Sequence, residues 1–501
     1  MRQLAAWLLV LFFARSALSA DAKSRFVIKN LAVQGEVLEV VPADLDGDGK
    51  QDLLVAFKRG LPPDEQRFFA VFWNRGDGFS AKPDLEVPVD VDACIFDTAD
   101  LDGQPGEEVL WVTPTGLAMR SLRGRVWGPP IVLTHERTLY HQPGRGELDR
   151  VHLVQDIAGD ASRDVVVPGL SELLVYKHSG AELTLAAHLE VPTEGVTRIR
   201  GYGAHSQGIP AMGVENRVPA VHVADADGDG LRDIVASLED RIAIFRQQPG
   251  MGFAAKPTFE RNFAIRTPDE RREARAVASI TVSDIDGDGV ADLVVRKDVS
   301  HGLASALATT FVFFGKKGGG YAEKPDQVIK SEGASGTEVE MIDLTGDGHP
   351  DLVVPSVNIG VWQIIRVLTT KTVAVNFQVF PFVPANRKFA DKPTAQRELK
   401  FNVSLSGQTE WQALDETGDY NGDKRPDLVF GTGEHELSIF PGIVGPGLFA
   451  ADAVETLDVR SFGQVLPVDL NEQGKSDLVL HYSVAKDHRG EIVVMLNRGP
   501  W

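Results

Sequence analysis

The sequence has one cysteine, Cys94, so no internal disulfide can hold the chain together. Set in DACIFD, that thiol reads as a small buried apolar residue on a strand rather than a nucleophile. Basic residues are in deficit: 51 Lys and Arg face 71 Asp and Glu, for a net charge of −20. The deficit excludes nucleic acid as a partner, because phosphate binding needs clustered cationic side chains. Past the amino-terminal residues no apolar run approaches the ~20 residues of a membrane-crossing helix, so no membrane span is expected. Catalytic patterns are also missing. There is no G-x-S-x-G, HERTLYH at 135 has the wrong spacing for H-E-x-x-H, and QGKSD at 473 lacks the upstream glycine of a phosphate loop.

One apolar run is present, at the start. MRQ is followed by LAAWLLVLFFA and then by the small residues of SALSADA. This is the layout of a secretory signal peptide over residues 1–22, with cleavage after Ser19, Ala20 or Ala22. The expected location is therefore secreted, extracellular or periplasmic.

The acid is not spread evenly. Residues 44–52 read DLDGDGKQD, 225–233 read DADGDGLRD and 284–292 read DIDGDGVAD. Weaker copies are DLTGDGHPD at 343, DYNGDKRPD at 419, DLNEQGKSD at 469, DLDGQPGEE at 100 and DIAGDASRD at 156. Successive copies start 50 to 76 residues apart. Hard cations such as calcium take six to eight oxygens, and positions 1, 3, 5 and 9 of a tight loop can turn carboxylates toward one ion. Glycines at positions 4 and 6 permit the backbone angles that such a loop needs.

The candidate ligands are Asp44, Asp46, Asp48 and Asp52; Asp225, Asp227, Asp229 and Asp233; Asp284, Asp286, Asp288 and Asp292; Asp343, Thr345, Asp347 and Asp351; and Asp419, Asn421, Asp423 and Asp427. The loops at 100, 156 and 469 are degenerate: Pro105 strains the first, although Glu108 could stand in for its final Asp, Ala158 removes a ligand from the second, and the third, with Asn471 and Gln473, has only two carboxylates at ligand positions. About three to six calcium ions are expected. An EF-hand is excluded, because position 12 is Val55, Ala236 or Val295 where a bidentate Glu is required.

Each loop is flanked by strand-like runs, such as EVLEVVPAD before and DLLVAF after the first. Further strands follow, such as RFFAVFWN and TTFVFFG. Four strands per repeat of about 60 residues, without helical periodicity, make propeller blades. The last loop is followed by one strand too few, and RFVIKNLAV before the first loop is spare. Lending it to the last blade would close the ring. The expected fold is all-β, one propeller over residues 23–501 with eight four-stranded blades, or seven blades plus an irregular hairpin. The D-x-D-G-D-G-x-x-D-[LI]-[LV]-V runs resemble the FG-GAP and VCBS repeat families, which share their blade with the integrin alpha-chain head. That resemblance covers nearly all of residues 23–501 and implies a calcium-binding propeller outside the cell. It departs from the integrin head in having eight loops where that head has seven blades.

FWNRGDGFSAKP at 72 contains Arg75-Gly76-Asp77, the tripeptide that adhesion receptors read. GFSAKP recurs as GFAAKP at 252, GYAEKP at 320 and KFADKP at 388, with Gly76, Gly250 and Gly318 at one position. A glycine-rich turn between the outer strands of a blade accounts for the letters.

Two segments break the repeat. Residues 120–150 are basic with aromatics, and residues 194–210 add Arg198, Arg200, Tyr202 and His205. Cations beside aromatics suit acidic sugars or carboxylates of a partner. The expected function is a secreted binding or scaffold module, a monomer that holds an extracellular protein or polysaccharide, with calcium structural. A uronate lyase of the propeller type is the alternative.

Overall fold

An acidic loop becomes a hairpin when apolar runs on both sides pair, and this happens throughout the chain. Glu36–Ala43 and Asp52–Arg59 run antiparallel with Ala43 opposite Asp52, so the loop 44–51 is the whole connection. Gln66–Phe72 and Leu85–Pro88 complete a four-stranded sheet. The computed structural model describes residues 24–501 except 62–63, 139–146, 161–162, 170, 181, 192–193, 200–211, 273–275, 301–305, 333–339, 358–368, 371, 403–411, 446, 484–486 and 500. The expected signal peptide lies outside the described residues.

The same sheet recurs as eight blades. Their first strands are Glu36–Ala43, Ile95–Ala99, Val154–Gln155, Ala220–Ala224, Ala276–Ser283, Glu340–Ile342, Leu414–Asp415 and Gln464–Val468. The poor loop at 156 joins Val154–Gln155 to Asp164–Pro168, and this pair belongs to a full four-stranded blade. Eight blades, not seven, is the outcome. The second blade also carries a fifth strand, Asp149–Arg150, parallel to Ile95–Ala99.

Among the described residues the core is divided rather than single. Each apolar cluster joins two consecutive blades: Trp73 and Phe69 with Phe96 and Trp111, or Val235 and Ile244 with Leu293 and Phe313. Packing on both faces explains why second strands are continuous apolar runs: the first six residues of DLLVAFKR are all buried. The cluster that joins Leu31, Ile492 and Val494 to Val37, Leu53 and Phe72 links the last blade back to the first. Closure is as the sequence predicts. Phe26–Ala32 pairs antiparallel with Glu491–Asn497 over seven residues, from Phe26 opposite Asn497 to Ala32 opposite Glu491. The result is an almost all-β ring in which helix, among the described residues, is limited to short turns such as Pro268–Arg272.

Antiparallel order sorts the connections onto two rims. The acidic loops, between first and second strands, share a rim with the turns between third and fourth strands. Gly318 in one such turn donates its N–H to the Asp227 carbonyl at 2.7 Å. The connections between blades emerge on the other rim, where Glu194–Ile199 and Met212–Arg217 form a two-stranded ribbon.

Candidate metal centres

Each acidic loop is organised first by its own backbone. In the first, Asp44 accepts the N–H groups of Gly47 at 2.8 Å, Asp48 at 3.1 Å and Gly49 at 3.0 Å. Asp46 accepts from Asp48 at 3.1 Å, and Asp48 from Lys50 at 3.0 Å. The bonds to position 1 repeat at Asp225, Asp284, Asp343 and Asp419. They require left-handed backbone at positions 4 and 6, where Gly47 has φ 76° and Gly49 φ 88°. A Cβ on Gly47 would also stand 2.5 Å from Pro105 of the next loop. Lys424 replaces the sixth glycine in the loop at 419 and still takes φ 69°.

The ninth residue has a second duty. Asp292 accepts from Ile285 N at 2.9 Å and from Gly315 N at 2.7 Å, tying loop to third strand. Asp52 does the same with Leu45 and Asn74, Asp233 with Ala226 and Gln247, Asp351 with Leu344 and Phe382, and Asp427 with Tyr420 and Gly442. All five are buried. Burial, reinforced by the other acids of the loop, pushes the Asp52 and Asp292 carboxyls up to about 7 and those of Asp233, Asp351 and Asp427 up to about 6.

Among the described residues, four groups of three acids bring one oxygen each within 4.8 Å of one another. They are Asp44, Asp46 and Asp48; Asp225, Asp227 and Asp229; Asp284, Asp286 and Asp292; and Asp100, Asp102 and Glu108. The first three lie in the complete loops. The fourth lies in a loop that the sequence ranked as degenerate, where Glu108 stands in for the last Asp and Gly106 takes φ 100° beside Pro105. Glu108 is likewise pushed up to about 7 by burial, and accepts from Leu101 N at 2.8 Å. The loops at 343 and 419 form no acidic trio, since Thr345 and Asn421 hold the third place.

These acidic groups can hold metal ions. Every donor is oxygen, which suits a hard cation rather than zinc or copper. The third position carries an independent sign of fit. Thr345 Oγ1 and Asn471 Oδ1, in the loops at 343 and 469, are buried without a hydrogen-bond partner. Third-position carboxylates instead meet arginine: Asp46 accepts from Arg125 Nε at 2.6 Å, Asp227 lies 3.3 Å from Arg246 Nε, and Asp286 pairs with Arg387.

Sequence reading missed the residues that join one loop to the next. Asn497 Nδ2 donates to the Tyr420 carbonyl at 2.6 Å, Gln247 Nε2 to that of Ile157 at 2.7 Å, and Asn74 Nδ2 to that of Leu470 at 2.6 Å. A signal existed for two of them, because Asn74-Arg75-Gly76 repeats as Asn497-Arg498-Gly499. The tripeptide at 75 is a turn. Gly76, Gly250 and Gly318 have φ 79°, 83° and 85°, and Arg75 is bound to Asp84 at 2.6 Å. Cys94 is buried, and burial pushes its thiol up to about 11, away from reactivity. Of the two repeat-breaking segments, residues 139–146 and 200–211 lie outside the described residues, among them Arg200, Tyr202 and His205.

Eight blades in a ring, with acidic loops along one rim, define an eight-bladed β-propeller. The FG-GAP-like repeat matches residues 36–104 and 225–295, so FG-GAP-like repeats supply two stretches of this β-propeller. No curated protein sequence matches it. Solved structures similar to it include a lectin of Agrocybe aegerita described as recognising non-reducing terminal N-acetylglucosamine, 15% identical with a TM-score of 0.37, covering 93% of this chain and 86% of that one. Another is the V. cholerae biofilm matrix protein Bap1, 10% identical with a TM-score of 0.32, covering 94% of this chain and 89% of that one. No helix among the described residues is long and apolar enough to cross a membrane.

Proposed function

We propose that this chain is a secreted, calcium-stapled propeller that serves as a binding or scaffold module for an extracellular protein or polysaccharide. The observation that carries the metal reading is the repeated trio of carboxylate oxygens held within 4.8 Å by backbone N–H groups. Like charges that close repel, and a divalent cation relieves the repulsion. Calcium fits better than magnesium, because an all-protein oxygen cage with a flexible ligand number suits the larger ion. The bound ion would neutralise charge and cross-link the first and second strands of a blade. At ~1 mM calcium and a dissociation constant of ~0.1 mM, each filled site adds about 1.4 kcal/mol of stability. In a chain without disulfides, several such sites would supply the missing covalent restraint.

The test is thermal unfolding of the protein with EDTA and with ~1 mM calcium, beside a metal count per chain. About three to six ions and a calcium-dependent rise in Tm are expected. No bound metal and no shift would overturn the reading.

A further inference from the structure

We propose that the cleft between the outer edges of the first and second blades binds a small ring-bearing carboxylate. Its volume is about 210 Å³. That is below the roughly 300–1,000 Å³ of sites for drug-sized ligands, which restricts the guest to about one ring. Phe69 and Pro88 of the first blade and Trp111 and Pro130 of the second supply apolar walls, with Arg120 and Asp90 as the charged lining.

The donors here lack acceptors. Trp111 is 4% exposed, yet its buried indole N–H has no partner. Trp127 stacks on Phe69 with ring centroids 6.4 Å apart, and its buried N–H has no partner either. The side chain of half-buried Arg120 makes no hydrogen bond or ion pair among the described residues. Two other shielded arginines hold acceptors with their terminal guanidinium nitrogens. Arg67 donates to the carbonyls of Ala93, Glu147, Asp90 and Val91, and Arg266 pairs with Glu239 and Asp240. The single acid of the cleft, Asp90, already accepts the N–H of Asp92 at 3.0 Å. Buried donors without acceptors are uncommon in folded proteins. A guest with a carboxylate would pair with the Arg120 guanidinium while its ring packs on the aromatic and proline walls. A uronic acid at a polysaccharide end and an aryl carboxylate share this chemistry.

The site is separate from the acidic loops, so it is tested in calcium-loaded protein with Tm recorded alongside. Failure of the cleft then leaves the metal reading intact. Galacturonate, glucuronate, benzoate and glucose are each titrated by saturation-transfer NMR, with wild type and the variants Arg120→Gln and Trp127→Phe. Saturable millimolar binding of at least one acid is expected, with glucose roughly tenfold weaker. Arg120→Gln should weaken the acid about tenfold while Tm stays within ~1 °C, and Trp127→Phe should weaken it less. Preference for the uronates assigns the cleft to a polysaccharide end, and preference for benzoate to an aryl acid. Absence of saturable binding up to ~20 mM, equal binding of glucose and acids, or an unaffected Arg120→Gln variant would overturn the proposal.

Discussion

Asn74 and Leu470 stand 396 residues apart in sequence and are joined by a hydrogen bond of 2.6 Å, from the Asn74 side-chain amide to the Leu470 carbonyl. The same amide donates to Gln51 at 3.0 Å, and the Asn74 backbone N–H to Asp52 at 2.7 Å. One residue thus fastens the loop of the last blade to that of the first, beside the seven-residue pairing of Phe26–Ala32 with Glu491–Asn497. Asn74→Ala strands two shielded carbonyls and should cost about 1–3 kcal/mol. Urea unfolding in constant calcium measures this, and a loss below ~0.5 kcal/mol would mean that the joint carries no weight.

Two acids of one loop should fail differently. Asp233 accepts two buried backbone N–H groups and stands outside the acidic trio of its loop, whereas Asp229 belongs to that trio, is exposed and accepts the N–H of Leu231 at 2.8 Å. Asp233→Asn is expected to lower stability by about 1–3 kcal/mol with calcium or with EDTA. Asp229→Asn should remove most of one site's calcium increment, about 1 kcal/mol, and leave the EDTA-treated protein nearly unchanged. Differential scanning calorimetry of both variants in both buffers makes the comparison. Equal behaviour would contradict the division of labour.

Glu416 should make stability fall as pH rises. Burial, then a hydrogen bond shared with Glu340, then the charges of Glu340 and Asp415 push its carboxyl up to about 9. A carboxyl raised above its unfolded value of about 4.5 holds its proton in the folded state. The stability it contributes is complete below pH ~4.5 and is lost as pH climbs through ~9. Glu416→Gln fixes the neutral form, so the variant should exceed wild type in Tm by roughly 2–5 °C at pH 8, with the gap closing toward pH 5. A gap independent of pH would show that Glu416 is ionised in the fold.

The Arg-Gly-Asp turn should be inert as an adhesion ligand. Arg75 is tied to Asp84 at 2.6 Å, and its backbone N–H donates to the Gly78 carbonyl at 3.1 Å. Cell attachment to the immobilised protein should be the same for wild type and Asp77→Glu. Gly76→Ala, at φ 79°, should cost about 1 kcal/mol without changing attachment. Attachment abolished by Asp77→Glu would reinstate the adhesion reading.

Much of this was legible in the chain. The acidic loop is mostly local, the bonds to its first carboxylate spanning five residues at most from Asp44 to Gly49, so eight copies could be found and ranked by their letters alone. The strands were legible because DLLVAF and its equivalents are buried on both faces. Spare RFVIKNLAV foretold the closure that Phe26–Ala32 makes. At the loop at 100 the letters pointed both ways, Pro105 against a site and Glu108 for one, and in the fold Asp100, Asp102 and Glu108 converge while Gly106 takes φ 100°.

The sequence by itself determined the repeat, the strand and loop alternation and the oxygen-only donor set, since each depends on residues a few places apart. Only the tertiary structure decided that the loop at 156 belongs to a full blade, that Asn74 meets Leu470, and that Trp111, Arg120 and Phe69 share one cleft. Those relations are made by blade packing on blade, and the connections that set them vary in length, so no fixed spacing records them.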